Sequence, residues 1–288
     1  MIIKTIVLTV YFSILLGIGF FASRRIKNIS DYYVGGKKLN YWIAALSARS
    51  TGESGWLLIG VTGMGALMGV SAMWIVVGEV IGVFFSWQYM AKKFKRLTNE
   101  YNSITIPDFL VSHFRPSTNL IRILSATALS LFVVIYVSAQ IDITGKTFES
   151  FLGFNYYTGI AIGFGIVVLY IFSGGFLAVA WSDFFQGSLM FVALLLLPII
   201  AFFGLPSDVS IINGLKSIDP ALLNIWGPGG FNWINFATVA GLVSIGIGFL
   251  GSPQVYVRFI AIKSEDEVEK GKWVAIIYTL LTDTAAVM

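Results

Sequence analysis

Apolar residues run along this chain in long stretches: about Ile2 to Ala22, Tyr41 to Leu67, Val70 to Tyr89, Ile121 to Ile143, Tyr157 to Ser173, Asp183 to Gly204 and Phe236 to Val255. An eighth begins near Trp273. A helix needs about 20 residues to cross the hydrocarbon of a bilayer, and these runs are of that order. The period-two alternation of barrel strands is absent, and backbone groups in lipid must be satisfied within their own segment. The pattern therefore predicts an all-α, polytopic membrane protein, with 1–288 forming one transmembrane domain of about eight helices. The polar stretches between runs read as loops, none of them linker-like or of low complexity. One of them, from Pro206 to Asn235, is long enough to hold a short interfacial helix.

Composition agrees with the pattern and narrows the chemistry. At 57% hydrophobic and 12% charged residues, the chain lies far from soluble domains, whose charged fraction is about 25%. With no cysteine and one histidine, His113, there is no disulfide framework, no thiolate or histidine metal site, and no thiol or histidine dyad for catalysis. No carboxylates cluster at catalytic spacing, so neither an enzyme nor an organic cofactor is expected.

The net charge of +4 is explained by topology instead of nucleic acid. The first run leads into Arg24, Arg25 and Lys27 with no small-residue cleavage site, so it reads as a retained helix and not a signal peptide. If every run crosses once, the loops 24–38, 92–115 and 258–272 carry fourteen Lys and Arg residues on one side. Only Lys4, Lys146 and Lys216 face the other side. Positive charge stays inside, which predicts an outer amino terminus in a cell-membrane protein. The eighth run stops at Met288, about one turn short of a crossing, and the chain reads as a fragment of a longer protein.

A charge near the bilayer centre costs at least ~2.5 kcal/mol, so persistent ones are functional candidates. Arg49, Glu53, Glu79, Asp142, Asp183 and Asp283 qualify. Arg49 and Glu53 lie in Leu46-Ser47-Ala48-Arg49-Ser50-Thr51-Gly52-Glu53-Ser54-Gly55-Trp56, a composition suited to an unwound break whose carbonyls and hydroxyls hold sodium and whose half-helix faces a substrate carboxylate. A close helix crossing through small residues, extended by Gly65 and Gly69, is the structural alternative. A second interruption, Ser244 to Pro253, carries Gly246, Gly248, Gly251 and Pro253, and paired interruptions point to a transporter midplane site. Asp183 reads either as a helix-start carboxylate after Ser173-Gly174-Gly175 and the link Ala180-Trp181-Ser182, or as a cation ligand or cytoplasmic exit residue. Tyr136 and Gln140 share a helix face that Asp142 does not, and serve either interhelical hydrogen bonding or substrate contact. Glu79 is expected to pair with Arg49 from a neighbouring helix. Asp283 has no assigned partner.

At these residues the chain resembles the sodium:solute symporter family. The resemblance is carried by Asp31-Tyr32-Tyr33-Val34-Gly35-Gly36-Lys37, Ala45-Leu46-Ser47-Ala48, Ser54-Gly55-Trp56 and Thr105-Ile106-Pro107-Asp108-Phe109. It continues through Ser173 to Asp183 and through Gly248 to Pro253 with Arg258-Phe259. Within the family the likeness is to sodium/proline symporters. It implies a leucine-transporter-like inverted-repeat fold: an extra amino-terminal helix (1–30), a first five-helix repeat (41–204) and the start of a second (232–288).

The resemblance further implies sodium at Ser50 and Glu53, by way of their carbonyls, and at Asp183. Substrate contact is implied at Tyr136, Phe249 and Pro253, with Thr51, Gly52, Trp56 and Gln140 assigned beside them from the break and helix face above. Lys37 takes a gating or coupling role, joined by Arg49, Glu79 and Asp142. Two departures bear on the solute: Gly52 stands where the proline carriers have aspartate, and Ile245 where they have tryptophan.

The expected function is sodium-driven import of a small organic solute, proline or another amino acid, by alternating access. The partners are the solute, sodium ion and membrane lipid, without nucleic acid, and the sequence specifies no oligomeric state. Alternatives are a symporter for a sugar, carboxylate or vitamin, and the transporter-like membrane portion of a sensor. A channel lacks its filter motif or charged ring.

Overall fold

The structure, a computed structural model, describes residues 2–206 and 210–288. The chain forms α1 (Ile2–Ser23), α2 (Ile29–Val34), α3 (Tyr41–Gly55), α4 (Thr62–Met68), α5 (Met73–Phe85), α6 (Lys92–Glu100) and α7 (Ile106–Phe114). There follow α8 (Leu120–Leu152), α9 (Tyr156–Phe203), α10 (Ile211–Ile218), α11 (Trp233–Gly248), α12 (Pro253–Ala261) and α13 (Glu265–Val287). Many helices start where the sequence places a short polar side chain. Asn28, Asn40, Thr105, Asn155, Ser210, Asn232 and Ser264 each accept a first-turn N–H that would otherwise be orphaned.

Among the described residues, five helical stretches are long and apolar enough to span a bilayer, and two of them, Tyr41–Glu100 and Tyr156–Phe203, fold back on themselves. In the first, Arg49 and Glu79 are thirty positions apart, about 45 Å along a straight helix, yet their side chains meet at 3.2 Å. The reversal lies at Gly69 (φ 59°, ψ −136°), a backbone conformation that glycine alone adopts readily. In the second, Tyr170 and Ala178, with Trp181 and Phe185, cluster around Leu15, Ala22 and Tyr11 of α1, so both halves of α9 line one helix. That chain turns at Gly175 (φ 52°, ψ −150°).

This corrects two expectations. Residues 180–182 are helical and not a link, and Asp183 lies inside a helix two turns beyond the reversal, so it caps no helix start. Likewise α13 begins at Glu265, with Lys272 two turns inside it and bonded to Gln88 and Glu269. The loop expected to hold a short helix does hold one, α10. The loop after it rests on the α4–α5 reversal, where the Trp74 indole donates to the Ile225 carbonyl at 2.9 Å.

α5 and α11 approach backbone to backbone. A Cβ on Gly246 would collide with the Gly78 carbonyl, and one on Gly82 with the Gly246 carbonyl. This is the small-residue crossing by which helices associate in lipid. By contrast, the most apolar window of α8 has no buried residue, leaving that face to lipid or to further protein.

At the end that carries the basic loops, distant segments are clasped together. Leu39 bridges to Ile262 across the end of α12, its N–H on the Ala261 carbonyl (3.1 Å) and its carbonyl accepting from Lys263 (2.8 Å). The Glu267 carboxylate accepts the Tyr41 N–H at 2.7 Å. Lys95 reaches the Ile260 carbonyl and Lys37 the Thr98 carbonyl, at 2.9 and 3.0 Å. Burial holds the Lys37 ammonium below the ordinary lysine range.

Candidate functional site

Both expected breaks are present. α3 is interrupted at Ser54 (φ 46°, ψ −154°) and resumes through a π-helical turn, Trp56–Val61. α11 ends at Gly248, passes through a tight turn at Phe249–Gly251, and is extended at Ser252 before Pro253, which brings no N–H, opens α12. A cavity of about 460 Å³ lies between the breaks. Gly52, Ser54 and Trp56 line it from the first; Ile245, Gly248, Phe249, Ser252 and Gln254 from the second; Phe132, Tyr136, Ala139, Gln140 and Ile143 from α8. No side chain in that lining is charged. Polar groups are few and the walls aromatic, the usual character of a small-molecule site. Tyr136 also ties α8 to α3, its hydroxyl donating to the Thr51 carbonyl at 3.1 Å.

Behind the cavity is an ionic cluster excluded from solvent: Arg49, Glu53, Glu79 and Asp283 are 3%, 0%, 1% and 1% exposed. The Arg49 guanidinium donates to Glu53 at 2.9 and 3.2 Å and to Glu79 at 3.2 Å, so the expected pairing of Arg49 with Glu79 is present. Glu79 also accepts from the Trp56 indole at 3.4 Å, and the Thr282 hydroxyl stands 3.2 Å from Glu53 and 3.3 Å from Asp283. Three carboxyl groups thus surround one guanidinium. One oxygen each of Glu53 and Asp283 has no hydrogen-bond partner among the described residues.

A second cluster lies on the side of the basic loops. One Asp183 oxygen accepts from Arg258 at 2.8 Å, Ser47 at 2.6 Å and Thr51 at 3.3 Å. Arg258 further donates to Ser47 (3.0 Å) and Thr51 (2.8 Å), binding α12 to α3 and α9.

Among the sodium candidates, Ser50 and Asp183 come together: the Ser50 hydroxyl is 3.0 Å from the Asp183 carbonyl and 2.7 Å from that of Leu46. Glu53 sits at the break, its carbonyl accepting from the Trp56 N–H. Of the substrate candidates, Gly52, Trp56, Tyr136, Gln140 and Phe249 line the cavity. Thr51 instead belongs to the Asp183 cluster, and Pro253 lies between the lining residues Ser252 and Gln254. Among the gating candidates, Lys37 is in the clasp and Arg49 and Glu79 are in the ionic cluster. Asp142 is away from the cavity, bonded to Lys146 at 2.7 Å and the Tyr156 hydroxyl at 2.8 Å. Sequence reasoning missed Phe132, Ala139 and Ile143, which continue the Tyr136–Gln140 stripe at helical spacing. It also gave no site role to Arg258, which it counted as a loop charge and as part of the family motif.

A model of the sodium:solute symporter family matches residues 32–287. The chain belongs to this family. Curated relatives include the high-affinity proline transporter PutP of Bacillus subtilis (strain 168), 38% identical over 94% of this chain and 56% of its own length. They also include the osmoregulated proline transporter OpuE of the same organism, 33% identical over 98% and 56%. The sodium/proline symporter of Escherichia coli (strain K12) is 34% identical over 94% and 53%. The chain spans about half the length of these relatives. A solved Na+-coupled sialic acid symporter, in a substrate-bound outward-open state, covers 99% of this chain and 58% of its own with a TM-score of 0.82 at 19% identity. The family fold expected from the sequence is thus the fold observed, in a multi-pass membrane protein.

Proposed function

We propose that this chain forms part of a sodium-coupled symporter that imports a small organic solute, with proline the first candidate, by alternating access. The observation that carries the reading is the open cavity lined by two helix breaks and by α8, the arrangement by which transporters expose backbone dipoles to solute and ion without a charged lining. Gly52, Trp56, Tyr136, Gln140 and Phe249 contact the solute in this reading. The carbonyls of Ser50 and Glu53 provide one wall of a sodium site, and Asp183 acts with them on the side of the basic loops. Residues 41–204 are the first five-helix repeat, 232–288 open the second, and α1 is the extra helix. The amino terminus is outside and the Lys- and Arg-rich loops are in the cytoplasm. The protein moves its solute unchanged, so a catalytic group or organic cofactor has no part in it. Three relatives named as proline transporters support the solute choice.

The test is uptake of radiolabelled proline by the full-length protein in proteoliposomes, with and without an inward sodium gradient. Uptake that follows the gradient supports the reading; no gradient-driven uptake across a broad panel of amino acids, sugars, carboxylates and vitamins ends it. A solute other than proline is the second reading, favoured by the wall itself. The Phe249 ring is seated over Gly52, where a Cβ would meet it at 2.9 Å, and Ile245 is aliphatic.

A further inference from the structure

The ionic cluster does not line the cavity, yet it holds one aromatic wall on each side of it. Trp56 follows the first break, and its indole N–H donates to Glu79. Phe249 follows α11 at the second break, and the Arg49 guanidinium lies 5.5 Å from its ring centroid, in the range of a cation–π contact. Gly52 makes this possible, because any side chain there would displace the ring. Arg49 and Glu79 are joined to each other at 3.2 Å, so the two walls, from separate helices, hang on one buried pair.

We propose that Arg49 and Glu79 are positioning residues for solute recognition. Without touching the solute, they set the spacing between Trp56 and Phe249 and so select a compact solute with an apolar face. The indole has a single donor, and Glu79 is 1% exposed. Swinging Trp56 to another rotamer would strip a buried carboxylate oxygen of its partner, which costs more than an exposed bond would return. The wall is therefore held stiff from behind, and stiffness at a wall turns solute size into affinity. This inference rests on the cavity being the solute site.

The experiment is a double-mutant cycle on initial rates of sodium-driven uptake by the full-length protein in proteoliposomes, using Glu79→Leu, Trp56→Phe and the pair. Each single change is expected to raise KM about tenfold, the worth of a hydrogen bond to a charged group, with Vmax within about twofold. The pair should be no worse than Glu79→Leu alone, because Trp56→Phe removes a contact that Glu79→Leu has already removed. Glu79→Gln, which keeps an acceptor for the indole, should return KM toward wild type. Additive effects overturn the proposal, as does a fall in Vmax at unchanged KM. Should Glu79→Leu fail to fold, Trp56→Phe decides, since it removes the donor of that contact, with part of the ring, and leaves the Arg49–Glu79 ion pair: an unchanged KM overturns the positioning role. Wild-type uptake with an additive cycle removes this inference and leaves the transport reading standing. No wild-type uptake across the panel removes both.

Discussion

Arg49→Met keeps most of the length and volume of the side chain while deleting the cation that Glu53, Glu79 and Asp283 share. Two ion pairs, at 2.9 and 3.2 Å, disappear from a site whose members are at most 3% exposed. Water cannot replace the lost donors without opening the packing between α3, α5 and α13. Removing one partner of a buried pair costs about 3–5 kcal/mol, because the remaining charge stays desolvated. At about 2–4 °C per kcal/mol for a chain of this size, the melting midpoint should fall by roughly 10 °C.

The assay is thermal unfolding of the full-length protein in detergent, read by retention of the monodisperse peak and compared at one heating rate, since such unfolding is kinetically controlled. Arg49→Met combined with Glu53→Gln should recover part of the loss by removing one of the stranded charges. A single variant melting within about 2 °C of wild type would refute the reasoning, showing that the carboxyl groups do not depend on the guanidinium.

Gly246→Ala should be more damaging than its size suggests. The new methyl group meets the Gly78 backbone, and overpacking of this kind costs about 1–3 kcal/mol or more; the melting midpoint should drop while Gly241→Ala, with open space at its Cβ, stays near wild type. Gly52→Val should raise KM for uptake at least tenfold with a smaller change in Vmax, by driving the Phe249 ring into the cavity, and an unchanged KM would remove Phe249 from the solute wall. Arg258→Gln strips Asp183 of its cation and should lower the midpoint by several degrees, partly restored by adding Asp183→Asn; no restoration would show that Arg258 acts through packing alone.

The two breaks were legible because their residues cannot sustain a lipid-facing helix: hydroxyls and glycines crowd around Ser54, and Pro253 lacks the donor a continuing helix needs. The Arg49–Glu79 pair was legible because an isolated mid-run charge demands an opposite one nearby. The turn at Gly175 was harder. Gly174-Gly175 announced an interruption, but the apolar pattern on both sides does not say whether a chain bends or reverses, and Asp183 looked like the next helix start. Only the packing of Tyr170 and Phe185 on the same helix decides it. Asp183 and Arg258 are 75 positions apart, and no local spacing rule pairs residues at that distance. Asp142 stood out by its charge, yet an exposed partner one turn away, Lys146, already satisfies it.

The clasp around Leu39 has a consequence for how the chain is made. The first N–H of α3 is satisfied by Glu267, 226 positions downstream, and Leu39 by the backbone at the end of α12. A ribosome inserting this protein into a membrane therefore delivers α3 long before the groups that finish its end exist. Local helices can form at once, but loop closure over such separations is slow. The breaks and the charged cluster must wait, incomplete, until α11, α12 and α13 have been made. During that interval Arg49 and Glu53, four residues apart on one helix, can neutralise each other inside the nascent segment.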